Sequence, residues 1–231
     1  NFSIINVLFR IKMSQKKEGG QFLFKIIRRL FSKIILKSKF SGLNEEDVEI
    51  VPNGVNLDFF KEMDMHSCKK KLNLDFDKKY ILFTDSYKKR TQKRLDRFKK
   101  VIIELQKYDS TIEPLILFNT DRELMPYYIN SSILHIISSD FEGSPNSVKE
   151  CLSCNIPIVS TPVGDVSDLL SDIEGSYISK SFDYKELASL SIKAINSSCF
   201  DSRSKIIEMN LNIENVAIKI KKIYQNIISQ T

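Results

Sequence analysis

The sequence predicts a doubly wound α/β domain, a parallel sheet covered by helices on both faces. Two observations carry that reading. From Lys79 onward, short apolar runs alternate with stretches of helical periodicity, the order expected of successive strand–helix units. The short runs are also nearly continuous hydrophobics, as strands buried on both faces require. Tyr80 to Thr84 is the first of them, rich in β-formers and preceded by an Asp-Lys-Lys turn. Arg94 to Lys107 places Leu95, Phe98, Val101, Ile102 and Leu105 on one face and reads as a helix. Pro114–Phe118, Ile133–Ser138, Pro157–Ser160 and Ser176–Ile178 read as the later strands. Helices are expected over Asp121–Tyr128, Pro145–Cys154, Asp165–Leu170 and Asp183–Ile195. Asp201 to Gln230 reads as helical, with Ile206, Val216, Ile220, Ile223 and Ile227 in its apolar stripe.

Charge is distributed unevenly. The chain of 231 residues carries +6 overall, yet residues 1 to 40 hold ten Lys/Arg against Glu18 alone, so the other 191 residues are slightly acidic. That asymmetry argues against a nucleic-acid binder, despite the basic balance of the whole. Gln21 to Lys39 reads as one amphipathic helix, with Phe24, Ile27, Phe31, Ile34 and Ile35 interleaved with Lys and Arg. Such a helix either packs on a further domain or lies on an anionic membrane surface. No apolar run approaches the ~20 residues of a membrane-spanning helix. Cys68, Cys151, Cys154 and Cys199 are too few and too scattered for a disulfide scaffold, which fits a cytoplasmic setting. Cys151 and Cys154 form a CxxC without a second ligand pair and read as core, so no metal is expected. The chain begins at Asn1 and is read as part of something longer.

Open parallel sheets bind ligands beyond the carboxyl ends of their strands. The loop after the third strand runs Ser138 to Glu150. Ser144 is expected as helix N-cap with Pro145 at the first helical position. Gly143 lets the backbone approach a ligand. The helix start offers orphan N–H groups to an anion, flanked by Glu142 and Glu150, which suit sugar hydroxyls. The loop after the first strand, Asp85 to Arg94, is half Lys or Arg, and Arg90 and Lys93 are expected to point inward. The turn Thr161 to Val166, around Gly164, could bring backbone N–H groups to the same phosphates.

The run from Ser132 to Leu170 resembles the donor-binding signature of retaining glycosyltransferases of the GT-B fold (family 4, group 1). Those enzymes carry an E-x7-E motif enclosing Gly-x-Pro-Asn, matched here by Glu142, Gly143, Pro145, Asn146 and Glu150. Val48 to Phe60, with its Val-Pro-Asn-Gly-Val core, is similar to the segment leading from the family's first domain into its second. The resemblance implies a Rossmann-like, C-terminal GT-B half over residues 79–200, an interdomain linker at 46–78, a basic remnant of the acceptor domain at 1–45 and C-terminal helices at 201–231. It implies a UDP- or GDP-sugar donor, a hydroxyl acceptor (a glycan or lipid-linked), and no metal or other cofactor. Glu150 would bind the ribose hydroxyls and Glu142 the transferred sugar. Backbone N–H groups around Gly143 to Asn146, a stretch that includes Ser144 and Pro145, would help hold sugar and phosphates, and Arg90 and Lys93 would neutralise the leaving diphosphate. The pattern departs from the family after the first strand, where a Gly-Arg pair is replaced by Asp85-Ser86. A chain holding one such half is expected to transfer little by itself. A non-catalytic nucleotide-sugar-binding module and a GT-B-fold sugar-nucleotide epimerase are the alternatives.

Overall fold

The computed structural model describes residues 34–37, 48–86, 90–197 and 201–229. Its centre is a five-stranded, all-parallel sheet formed by β3 (Lys79–Asp85), β4 (Ile112–Phe118), β5 (Ser132–Ile137), β6 (Ile158–Ser160) and β7 (Tyr177–Ile178). The spatial order is β4-β3-β5-β6-β7. The chain therefore winds one way from β3 to β4 and the other way from β5 onward. That reversal leaves a crevice between β3 and β5 at the carboxyl edge, the usual ligand position in such sheets. Each sequence-predicted strand is present, with ends shifted by a residue or two.

Alternate side chains along the strands feed two separate cores. Ile81, Phe83, Leu134, Ile136 and Val159 face α2 (Leu95–Tyr108) and α6 (Tyr184–Ile195), packing on Phe98, Val101, Leu105 and Leu187. Tyr80, Leu82, Ile137 and Ile158 face the other layer. That layer holds α3 (Met125–Asn130), α4 (Asn146–Ser153), α5 (Val166–Leu170) and α7 (Ser202–Glu208), through Ile129, Val148, Leu152, Leu169 and Ile206. Cys151 and Cys154 are buried in this second core as free thiols, and burial pushes Cys154 up to about 12.

Three segments differ from expectation. Ile34–Leu36, read as the end of the basic helix, is a strand, β1, paired parallel with β2 (Val48–Ile50). Val51 N–H extends the pairing to Leu36 O at 2.8 Å, and Ile35 packs against Val51, Val216 and Ile223. A partner strand contributed from farther along the chain overrides the local helical spacing. The rest of the Gln21–Lys39 reading, and Cys199, lie outside the described residues. The 46–78 stretch contains a helix, α1 (Met65–Lys71), capped by Asp64, whose carboxylate accepts from Ser67 N–H. The final stretch is two helices, α7 and α8 (Ile213–Ser229). They part at Asn210, in the left-handed region at φ 54°, where Leu211 N–H turns back to Ile206 O and Val55 bridges Asn212. Among the described residues no helix is long and apolar enough to cross a membrane.

Candidate functional site

At the β3/β5 crevice lies a cleft of about 430 Å³, lined by the loops after β3, β4 and β5, the start of α4, and Asn53. Two of these loops are laced together by hydrogen bonds. Arg97, on α2 and nearly sealed, donates to Ser138 O and to Asp140 at 2.8 Å. Ser138 Oγ donates to Lys93 O, and Asp140 N–H donates to Gln92 O at 2.8 Å. This lacing brings Lys93, from the first loop, to Glu142, from the third.

Of the predicted site residues, Arg90, Lys93, Glu142, Ser144, Pro145, Asn146 and Glu150 all line this cleft. Lys93 Nζ lies 2.8 Å from Glu142 Oε1, which also accepts from Ser139 Oγ at 2.8 Å. Arg90 Nε lies 3.7 Å from Asp85 Oδ1. Glu150 projects from α4 and is buried, which pushes its carboxyl up. Arg122, 2.7 Å from Oε1, opposes that shift. The described lining thus holds three cations and three carboxylates, matched as Arg90–Asp85, Lys93–Glu142 and Arg122–Glu150.

The start of α4 differs from expectation. Pro145, with φ −69° and ψ 122°, occupies the N-cap position, Asn146 is the first helical residue, and no side chain caps the helix. Ser144 is occupied elsewhere, because its Oγ accepts from Lys149 Nζ at 2.6 Å. Asn146 Oδ1 instead accepts from Asn53 Nδ2 at 2.9 Å, tying the Val51–Val55 turn to the cleft. Pro145, Asn146 and Ser147 at that uncapped start all face the cleft, where N–H groups and the helix dipole favour an anion.

Gly143 and Gly164 do not line the cleft. Gly164 adopts φ +57°, and a Cβ there would sit 2.1 Å from Gly143 O, while Asp165 N–H donates to that same carbonyl at 3.0 Å. The turn after β6 therefore braces the Glu142–Gly143 backbone from behind. Replacing Gly164 by alanine is expected to cost roughly 2–3 kcal/mol, from the left-handed φ plus a backbone clash. Urea unfolding read by circular dichroism would measure it, and an unchanged midpoint would show that the turn relaxes freely.

Three contributors were not singled out from sequence. Asn53 lies within the Val-Pro-Asn-Gly-Val segment, but nothing local says it reaches Asn146. Arg122 follows β4 at the carboxyl edge of the sheet, the one signal that could have found it. Its guanidinium also stacks over the Phe60 ring, 4.6 Å from the centroid. Lys149 sits between Val148 and Glu150 in the sequence and is 1% exposed. Lys88 and Lys89 lie outside the described residues.

No protein-family model matches this chain, and no curated protein sequence matches it. Solved structures do resemble it. Sucrose-phosphate synthase from Thermosynechococcus elongatus superposes with a TM-score of 0.70 at 13% identity, over 94% of this chain and 64% of that one. HepE from Anabaena, solved in complex with UDP and glucose, gives 0.68 at 13% identity, over 89% and 66%. The C-terminal domain of a glycosyl transferase group 1 family protein, LpcC from Francisella tularensis, gives 0.54 at 12% identity, over 67% of this chain and 97% of that domain. The chain thus spans about two thirds of the synthase and of HepE. At these identities the likeness establishes the fold, that of the C-terminal half of a GT-B glycosyltransferase.

Proposed function

We propose that this chain is the donor-binding half of a retaining glycosyltransferase, which moves a hexosyl unit from a nucleotide-diphospho-sugar to a hydroxyl acceptor in polysaccharide or glycolipid synthesis. The observation that carries the reading is the placement of Glu142 and Glu150. Both line one switch-point cleft, Glu142 before an uncapped helix start and Glu150 within the helix that follows it. An anion at that start would place its attached sugars against the two carboxylates, one on the nucleotide side and one on the transferred side. Glu150 then accepts from the ribose hydroxyls and Glu142 from the hydroxyls of the sugar being moved. Arg90 and Lys93 take up charge on the diphosphate as the glycosidic bond breaks, an interaction that strengthens toward the transition state and so accelerates the step. A uridine nucleotide is the first to try, since the similarly folded HepE was solved with UDP; GDP is the second. Both the acceptor and much of the acceptor side of the reaction are assigned, in this reading, to a partner domain.

Calorimetric titration of the chain with UDP, GDP and ADP, beside a Glu150→Ala variant, tests the proposal. One nucleotide is expected to bind, with the variant weakened by about 30-fold or more, the scale of losing charge-assisted hydrogen bonds. A folded chain that binds none of the three, or binds equally with and without the Glu150 carboxylate, would overturn it.

A further inference from the structure

Two carboxamides meet in the cleft wall. Asn53, within the Val51–Val55 turn, donates from Nδ2 to Asn146 Oδ1 at 2.9 Å. Both residues line the cleft, and among the described residues neither side chain has another hydrogen-bond partner. A carboxamide carries two N–H donors and an acceptor oxygen. One bond between two of them therefore leaves N–H donors on both and the Asn53 oxygen unused. Asn53 is half-buried and Asn146 exposed, so neither is sealed away from a ligand in the cleft.

The turn that carries Asn53 is fixed on either side of it. Val51 N–H donates to Leu36 O, on β1, at 2.8 Å. Val55 N–H donates to Leu211 O at 2.9 Å, and Val55 O accepts from Ile213 N–H at 3.0 Å, where α8 begins. Asn53 thus reaches the cleft from outside the five-stranded sheet, on backbone braced by β1 and by the start of α8. A side chain presented from so braced a backbone has less freedom to lose when a ligand binds.

We infer that Asn53 and Asn146 form a clasp for a hydroxyl of the transferred sugar. This rests on the donor-site reading above and deepens it with a contact outside the Glu142 and Glu150 carboxylates. The group that fits the clasp gives a hydrogen bond as well as taking one. A phosphate only accepts; it would suit the N–H groups but set its own charged oxygens against the Asn53 oxygen. A sugar hydroxyl donates to that oxygen and accepts from an N–H in a single contact. Phosphates also have other donors in this reading, at the start of α4 and on Arg90 and Lys93. Of the donor's two sugars, the ribose is assigned to Glu150. The transferred sugar has to face the acceptor, and Val48 to Phe60, which carries Asn53, is the segment that resembles the lead-in from an acceptor domain. A clasp of this kind selects by where a hydroxyl stands, because an analogue without it leaves the carboxamides unpaired.

The test compares a nucleotide with its sugar derivative by calorimetric titration: UDP with UDP-glucose, GDP with GDP-mannose or ADP with ADP-glucose, according to which nucleotide binds. In Asn53→Ala, affinity for the sugar nucleotide should fall about fivefold relative to affinity for the bare nucleotide, the scale of one neutral hydrogen bond. Asn146→Ala should shift that ratio by a similar factor. The double variant should shift it no further than the larger single change, since either substitution opens the clasp. Neither side chain is buried, and matched circular dichroism checks that the fold is kept. An unchanged ratio in Asn53→Ala overturns the inference while leaving the donor site standing. So do independent, multiplying effects of the two substitutions, or a chain that binds the nucleotide and not its sugar derivative. Absence of any nucleotide binding instead overturns the donor-site reading, and this inference with it.

Discussion

Acidification from about pH 6.5 should destabilise the folded chain by about 1.4 kcal/mol per pH unit through His135 alone. The imidazole sits mid-strand on β5, with no exposed surface, and neither ring nitrogen has a hydrogen-bond partner among the described residues. Burial, aided by the nearby Lys93 ammonium, pulls it from the usual 6.5 down to about 3. The sign follows directly. Between those values the unfolded chain takes up a proton that the folded chain refuses, so protonation favours unfolding, and above 6.5 the dependence from this group ends. Its full extent is on the order of 4–5 kcal/mol, enough to matter against the 5–15 kcal/mol of a typical domain. Urea unfolding near pH 7, 5 and 4, compared between the natural chain and His135→Leu, isolates this group from the carboxylates that also titrate. The variant should show a shallower acid slope by about 1.4 kcal/mol per unit. Parallel slopes would mean that His135 finds water or a partner when charged.

Arg203→Met is expected to remove about 3 kcal/mol of stability. Arg203, on α7, donates to three backbone carbonyls at once: Nη1 to Phe60 O at 2.8 Å and to Ser153 O at 2.7 Å, and Nη2 to Leu57 O at 2.9 Å. One guanidinium thus ties the 57–60 segment to the end of α4. Methionine keeps the apolar stem but leaves the three carbonyls to find other donors in a half-buried setting, the costly side of hydrogen-bond energetics. Thermal unfolding should register the loss. A change below about 1 kcal/mol would show that water replaces the guanidinium freely. The effect should extend past stability, because Phe60 carries Arg122 on its ring face and Arg122 is the counter-ion of Glu150.

The central sheet was legible because its strands are buried on both sides. Tyr80–Thr84 and Ile133–Ser138 have few competing readings as apolar runs of that length between turns, and β3 and β5 lie there with small shifts. Ile34–Leu36 was not legible for the opposite reason. Its residues continue a helical spacing set by Phe24, Ile27 and Phe31, and the pairing with Val48–Ile50 that decides their state is invisible to a local window. The α1 helix was missed since Met65–Lys71 is short and polar, burying little beyond Cys68 and Lys69. In the cleft, Glu142, Glu150, Arg90 and Lys93 could be found because topology alone sends loops after strands to one edge. Arg122 carried that same signal, on the loop after β4, but its pairing with Glu150 did not show; Lys149 carried none, since its part depends on which hydroxyl a long side chain reaches. The expected Ser144 cap failed on that same ground: Lys149 takes the oxygen that the helix start was expected to use.

The three matched ion pairs in the described cleft wall have a consequence for selectivity. Among the described lining residues cations and carboxylates balance, so on the donor-site reading a phosphate that takes up one of these cations does so by displacing an ion pair. Phosphates that draw Lys93 or Arg122 away strip Glu142 or Glu150 of its counter-charge, which is costly most of all for Glu150, whose side chain is 5% exposed. A ligand whose hydroxyls meet those carboxylates as it takes their cations compensates the displacement. Inorganic polyphosphate, which has none, does not. On the donor-site reading proposed above, the described wall favours an anion that offers hydroxyls in exchange for the cations it takes.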